Sequence, residues 1–207
     1  MSKNIQVLLE EFTAIPRNKI MQTQILAWHN RIYFDCIVLN ENFIGSYRGE
    51  AIDEALENYH VNVNDQKLGV WPKNVRSDMR KFFTKLNCSL KVLDKSIPTH
   101  AFKAKQISDV VALAGFAHGE IIRIHPFAIG SPRIARLLAN YIALRYGLPA
   151  FIRIEPEPNK TLYTIAAEKS IGQPPKFRPD HEPVISLFHS MLEHHLIAAT
   201  KNEPNIS

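Results

Sequence analysis

Cysteine is nearly absent from this 207-residue chain: Cys36 and Cys88 stand alone, without the paired spacing of metal ligands. That excludes a disulfide framework and a zinc ribbon. Uninterrupted apolar runs of transmembrane length are missing, and Met1-Ser2-Lys3-Asn4-Ile5 lacks the apolar stretch of a signal peptide. The expectation is a cytoplasmic protein with no membrane partner. The 25 Lys and Arg against 20 Asp and Glu leave a net charge of only +5, and the basic residues are dispersed, with no run of four. No nucleic-acid partner is expected from that pattern. Internal repeats and low-complexity tracts are missing too, so 1–207 reads as a single domain.

What the chain does contain is ordinary globular composition, 45% hydrophobic and 22% charged, and mostly helical periodicity. Ile5, Leu8, Leu9 and Phe12 predict an N-terminal helix within 1–19, broken by Pro16. Ile20, Ile25, Trp28, Ile32 and Cys36 predict a second helix over 18–36. Between 37 and 64 glycine and asparagine interrupt the helical pattern. His60-Val61-Asn62-Val63-Asn64 alternates as a half-exposed strand does, and 43–48 is its expected partner. Helix resumes after Pro72 through Val75, Met79, Phe82, Phe83 and Leu86, and 91–104 is expected to connect. A central helix over 108–124 follows, capped by Ser108. Its small residues Ala112, Ala114, Gly115 and Ala117 would allow close helix approach. Further helices are expected over 132–146, 161–171 and from Pro183, with a loop over 150–160 and a frayed tail over 201–207. The fold class is mainly α with one β-hairpin.

Twelve residues carry the chemistry: His125-Pro126-Phe127-Ala128-Ile129-Gly130-Ser131-Pro132-Arg133-Ile134-Ala135-Arg136. A histidine precedes a Pro-Phe turn and a glycine loop. Ser131 suits the N-cap of a helix and Pro132 its first turn. A helix start concentrates N–H groups and positive dipole, which favours phosphate. Arg133 and Arg136 share one helix face and add charge-assisted donors. His125, one loop away, is placed to take a proton beside a bound phosphate, and Gly130 permits a backbone shape that a side chain would forbid. His118, two turns earlier, lies near the same face. His189, Glu193, His194 and His195 have neither common zincin spacing and are expected to form a solvated face, so no metal site is expected.

This stretch resembles the signature of the Fic family, His-x-Phe-x-(Asp/Glu)-Gly-Asn-(Gly/Lys)-Arg-x-x-Arg. Gly45-Ser46-Tyr47-Arg48 resembles the start of that family's flap, and Trp71-Pro72-Lys73-Asn74-Val75 the helix that follows it. The resemblance covers about 20–195. It implies a Fic-type helical domain with a β-hairpin flap, and transfer of AMP, from ATP or another nucleotide donor, to a hydroxyl of a target protein. His125 would be the base; Gly130, Ser131, Arg133 and Arg136 would hold phosphates. Val61, Asn62 and Val63 on the flap would dock the target protein. Three positions depart from the signature. Ile129 replaces the acidic residue that holds Mg²⁺, and an alkyl group cannot ligate that cation. Ser131 and Pro132 stand where the family has Asn and Gly or Lys. Impaired or altered activity is the consequence expected, with non-catalytic binding of a nucleotide or partner, or transfer of a different phosphate-containing group, as the alternatives. The family's inhibitory Ser/Thr-x-x-x-Glu pattern recurs only by chance, at Ser46–Glu50 and Thr164–Glu168. Inhibition would then come from a separate antitoxin-like chain or be dispensable.

Overall fold

The computed structural model describes residues 1–14, 16–63, 66–98, 103–153, 159–172 and 178–201. The elements run α1 (Ser2–Phe12), α2 (Gln22–Ile32), a 3₁₀ turn (Glu41–Phe43), α3 (Glu54–Glu57), β1 (Val61–Val63) and β2 (Gln66–Leu68). A second 3₁₀ turn (Pro72–Asn74) leads into α4 (Val75–Ser96), α5 (Ala104–Ile124), α6 (Ser131–Arg145), α7 (Asn159–Ile171) and α8 (Glu182–Lys201). The helical architecture and, among the described residues, a single hairpin agree with the sequence pattern.

α5 is the hub: it packs against α4, α6, α7 and α8, while α6 also meets α1 and α2. Its stripe Val110, Leu113, Ala114, Ala117, Ile121 and Ile124 is buried as the periodicity requires. Gly115 lies directly against Ile185 of α8, which is the close approach that small residues permit. α6 is buried almost all round, from Ile134 to Ala143. Its Tyr141 ring meets Phe12 of α1 and Trp28 of α2, with centroids 5.0 and 5.1 Å away. Rings buried this way contribute about 1.5–3 kcal/mol each relative to exposure.

Several boundaries differ from the sequence pattern for identifiable reasons. α2 begins at Gln22, not 18, because the Asn87 side chain takes both the N–H and the C=O of Ile20 (2.9 Å each). α4 continues to Ser96 because Leu90 and Leu93 stay on the buried face; the connection expected from 91 begins only after it. α5 starts at Ala104, with the Gln106 side chain accepting from Lys103 N–H (2.7 Å), so Ser108 lies inside the helix and does not cap it. The hairpin pairs β1 with β2, in register Val61↔Leu68, Asn62↔Lys67 and Val63↔Gln66. The strand at Val61–Val63 is therefore the first of the flap, and 43–48 is not a strand. The backbone of that segment is spent elsewhere: Gly45 N–H donates to His29 Nδ1 and Arg48 N–H to the Pro126 carbonyl (2.9 Å each). Asn64, residues 154–158 of the expected loop and 202–207 of the expected tail lie outside the described residues.

Candidate active site

α5 delivers His125 at its C-cap in a left-handed conformation, φ 51° and ψ 62°. A non-glycine residue there carries strain on the order of 1 kcal/mol or more, so its surroundings must hold it. Arg48 does so. Its guanidinium is fully buried (0% exposed) and donates to the carbonyls of His125 (2.5 Å), Ile124 (2.9 Å) and Val70 (2.6 Å). The Ile124 and His125 carbonyls end α5, where the helix dipole is negative, so a cation suits the place. Burial pulls the Arg48 pKa well below the usual arginine value, to about 10.

The His125 side chain is only 9% exposed, and its Nδ1 makes no hydrogen bond. Burial first, and the nearby Arg48 charge second, push its pKa down to about 4 against a weaker pull from the Ile122 carbonyl. At neutral pH the imidazole is uncharged and able to accept a proton.

The loop after His125 is stitched from three sides. Phe127 is buried and stacks on His29 with ring centroids 3.9 Å apart and planes 6° from parallel. His29 accepts from Gly45 N–H at Nδ1, so its Nε2 carries the proton and donates to the Ile129 carbonyl (2.9 Å). Burial lowers its pKa to about 4, which keeps that tautomer uncharged. The buried Ser131 hydroxyl accepts from Phe127 N–H (3.0 Å) and donates to the Phe127 carbonyl (3.3 Å). Ser131 is thus the first residue of α6 and a brace of the loop. Gly130 occupies the N-cap, at φ 80°, in place of the expected Ser131. Its left-handed backbone is the reason for glycine, and a Cβ would also strike the Tyr33 hydroxyl at 2.4 Å.

Both motif arginines stand at this helix start. Arg133 donates to the Tyr33 hydroxyl (2.9 Å) and Arg136 to the Tyr163 hydroxyl (3.1 Å). Among the described residues no carboxylate forms an ion pair with either. Glu50, one of the two chance matches to the inhibitory pattern, pairs instead with Arg76 (3.5 Å). Pro132 has no N–H, and Arg133 N–H turns back to the Gly130 carbonyl (2.9 Å). The backbone cradle is therefore thin, and the two guanidiniums supply most of the attraction for an anion. A cavity of about 550 Å³, lined in part by Tyr33, Phe34, Ile37 and Val38, adjoins the site through Tyr33.

Residues 19–143 match the model of the Fic/DOC family. The chain belongs to the Fic/DOC family. Its fold is similar to the crystal structure of a Fic domain containing signaling protein from Bacteroides thetaiotaomicron, with a TM-score of 0.68 and 22% identity, covering 96% of this chain and 70% of that one. No curated protein matches the chain.

In this Fic domain the flap is fastened beside the motif histidine. Val70 N–H donates to the Ile124 carbonyl (3.3 Å), and Gly69, just after β2, lies so close that a Cβ there would meet His125 Cβ at 2.6 Å. Val61 is half-buried and Asn62 exposed. Trp71 is 60% exposed beside the hairpin, where the His60 ring and the Lys67 ammonium approach it at 5.1 and 5.7 Å. The residues do not fit a motif-held Mg²⁺. Ile129 is partly buried and packed against the apolar core, and no group of three His, Cys, Asp or Glu among the described residues could hold a metal ion. His189 meets Ser108 (3.4 Å) and does not join the site. No helix among the described residues is long and apolar enough to cross a membrane.

Four residues that shape the site were not singled out for that role by the sequence: Arg48, His29, Tyr33 and Tyr163. His29 carried a signal, a polar residue beside Trp28 in a helix whose neighbours Ile25 and Ile32 are buried. The other three lie far from the motif in sequence, and no spacing rule connects them to it.

Proposed function

We propose that this Fic-type chain binds a nucleoside triphosphate and transfers its nucleoside monophosphate to a protein hydroxyl, at a rate depressed by the loss of the metal ligand. One observation carries the reading. Two guanidiniums without a carboxylate partner among the described residues stand at the start of α6, one loop from a neutral, buried imidazole.

Arg133 and Arg136 hold the phosphate chain, and Gly130 keeps the helix start open to it. The target hydroxyl oxygen attacks the α-phosphorus while His125 takes its proton. The new O–P bond forms as the bond to the β-phosphate oxygen breaks, and pyrophosphate leaves with that electron pair. Catalysis of this kind rests on positioning and charge neutralisation. Ile129 supplies neither an oxygen ligand nor charge, so ground-state binding survives better than turnover. The target docks along the hairpin, with Val61, Asn62 and Val63 pairing to an extended segment.

Titration with ATP, with and without Mg²⁺, tests the reading. Binding is expected in both conditions, and Arg133→Ala should weaken it by about 1.5–3 kcal/mol, the worth of a hydrogen bond to a charged group. Absence of binding by the parent, or an unchanged affinity in Arg133→Ala, would overturn it.

A further inference from the structure

Arg136 is held by a chain of side chains that no part of the motif accounts for. Its Nη1 donates to the Tyr163 hydroxyl (3.1 Å), and that hydroxyl lies 2.7 Å from Nε2 of His118. α6 supplies the arginine, α7 the tyrosine and α5 the histidine. α8 seats the far side of the imidazole with Phe188, whose ring lies 5.3 Å away at 75°. His118 is fully buried (0% exposed), and Tyr163 is buried above it.

The chain has a direction. Arginine only donates, so the phenol oxygen accepts from Arg136. If the phenol then donates to Nε2, the imidazole keeps its proton on Nδ1, and within this chain of three side chains that buried atom is left without a partner. The reverse arrangement would leave both the phenol proton and Nδ1 unmatched, which costs more. Burial holds the His118 pKa down to about 3, with Arg136 a further cause, so the acceptor stays neutral. A neutral relay orients the guanidinium without cancelling its charge, whereas a carboxylate partner would compete with an incoming anion.

Resting on the nucleotide reading above, we infer that Tyr163, backed by His118, is a positioning residue that aims Arg136 at a phosphate of the bound nucleotide. Tyr163→Phe deletes the hydroxyl and keeps the ring that packs on His118, so the fold is retained. The buried imidazole is a costlier place to change. His118→Gln keeps an amide near the Nε2 position, whereas His118→Leu removes the hydrogen bond.

The test combines ATP and inorganic pyrophosphate titrations with a ligand-free measurement of the His118 ring by ¹⁵N NMR. Tyr163→Phe should bind both probes about five- to tenfold more weakly. That loss should vanish in an Arg136→Ala background, since the relay acts only through the arginine. His118→Leu should share the loss and His118→Gln should restore most of it. In the free protein the ring should be the neutral Nδ1–H tautomer, and Tyr163→Phe should shift its Nε2 signal. A parent that binds ATP while Tyr163→Phe binds it equally well overturns the relay and leaves the nucleotide site standing. A parent that binds neither probe overturns both. A Tyr163→Phe loss that persists undiminished without Arg136 also overturns the relay, since the hydroxyl would then touch the ligand itself.

Discussion

Replacing Arg48 by methionine isolates what holds the motif loop. The side chain keeps its length but loses every donor, and the carbonyls of Val70, Ile124 and His125 lose their guanidinium. Each buried acceptor left unmatched costs about 1–3 kcal/mol. The Ile124 carbonyl retains a long bond from Val70 N–H (3.3 Å), so the full cost falls on the other two. Against this stands the relief of removing a buried charge. The fall of the Arg48 pKa from the usual arginine value to about 10 corresponds to about 3 kcal/mol. Relaxation of His125 out of its left-handed conformation adds about 1 kcal/mol to the loss. At the middle of those ranges the balance is a destabilisation of about 2 kcal/mol. Urea unfolding at pH 7 reads that number directly. NMR titration of His125 reads the electrostatic half: its pKa should rise from about 4 without reaching 6.5, because burial is the larger cause and Arg48 the smaller. A stability change under about 0.5 kcal/mol, the range of an ordinary surface substitution, together with an unmoved His125, would refute the reasoning.

Acid should destabilise the fold earlier than carboxylate titration alone would. His29, His118 and His125 are held down from 6.5 to about 4, 3 and 4. Between pH 6.5 and 4 the unfolded chain takes up protons on these rings that the folded chain refuses. Stability is therefore full above pH 6.5 and falls toward pH 4, by up to about 1.4 kcal/mol per pH unit for each ring. Unfolding midpoints at pH 7 and pH 5 check it, and equal midpoints would contradict it. Gly69→Ala should push the flap off the motif: its Cβ would meet Arg48 Nη2 and His125 Cβ at 2.6 Å, at a φ of +80°. A loss of thermal stability and faster amide exchange at Val70 are expected, and unchanged exchange there would count against a flap fastened at this point.

The parts of the site that lie in one stretch were legible in the sequence, and those assembled across the fold were not. The apolar stripe of α5 ends at Ile124 and the next helix begins at Ser131, so His125 and the arginines could be placed on one loop and one helix start. The partners that fix these groups come from elsewhere. Arg48 reaches His125 across 77 positions, His29 reaches Ile129 across 100, and Tyr33 reaches Arg133 across 100. Propensity and periodicity describe one segment at a time and cannot report such meetings. Ser131 shows the opposite error. Its residue type suits an N-cap, but the Phe127 backbone recruits its hydroxyl, and glycine takes the cap because only its backbone fits. The flap strand at Val61–Val63 was recognised from its alternation, while its partner was sought upstream and is in fact Gln66–Leu68, three residues after the first strand ends.

Transfer of labelled nucleotide tests the central claim most directly: the base and the phosphate clamp are intact, and Ile129 is what limits turnover. The unmodified chain, incubated with labelled ATP, Mg²⁺ and a cell lysate, should label its target weakly. Ile129→Asp should raise the labelling in Mg²⁺, further so with Ser131→Asn and Pro132→Gly where melting curves show that the buried Ser131 position accepts the change. His125→Ala in that background should abolish the gain. Robust Mg²⁺-dependent labelling by the unmodified chain would contradict the account.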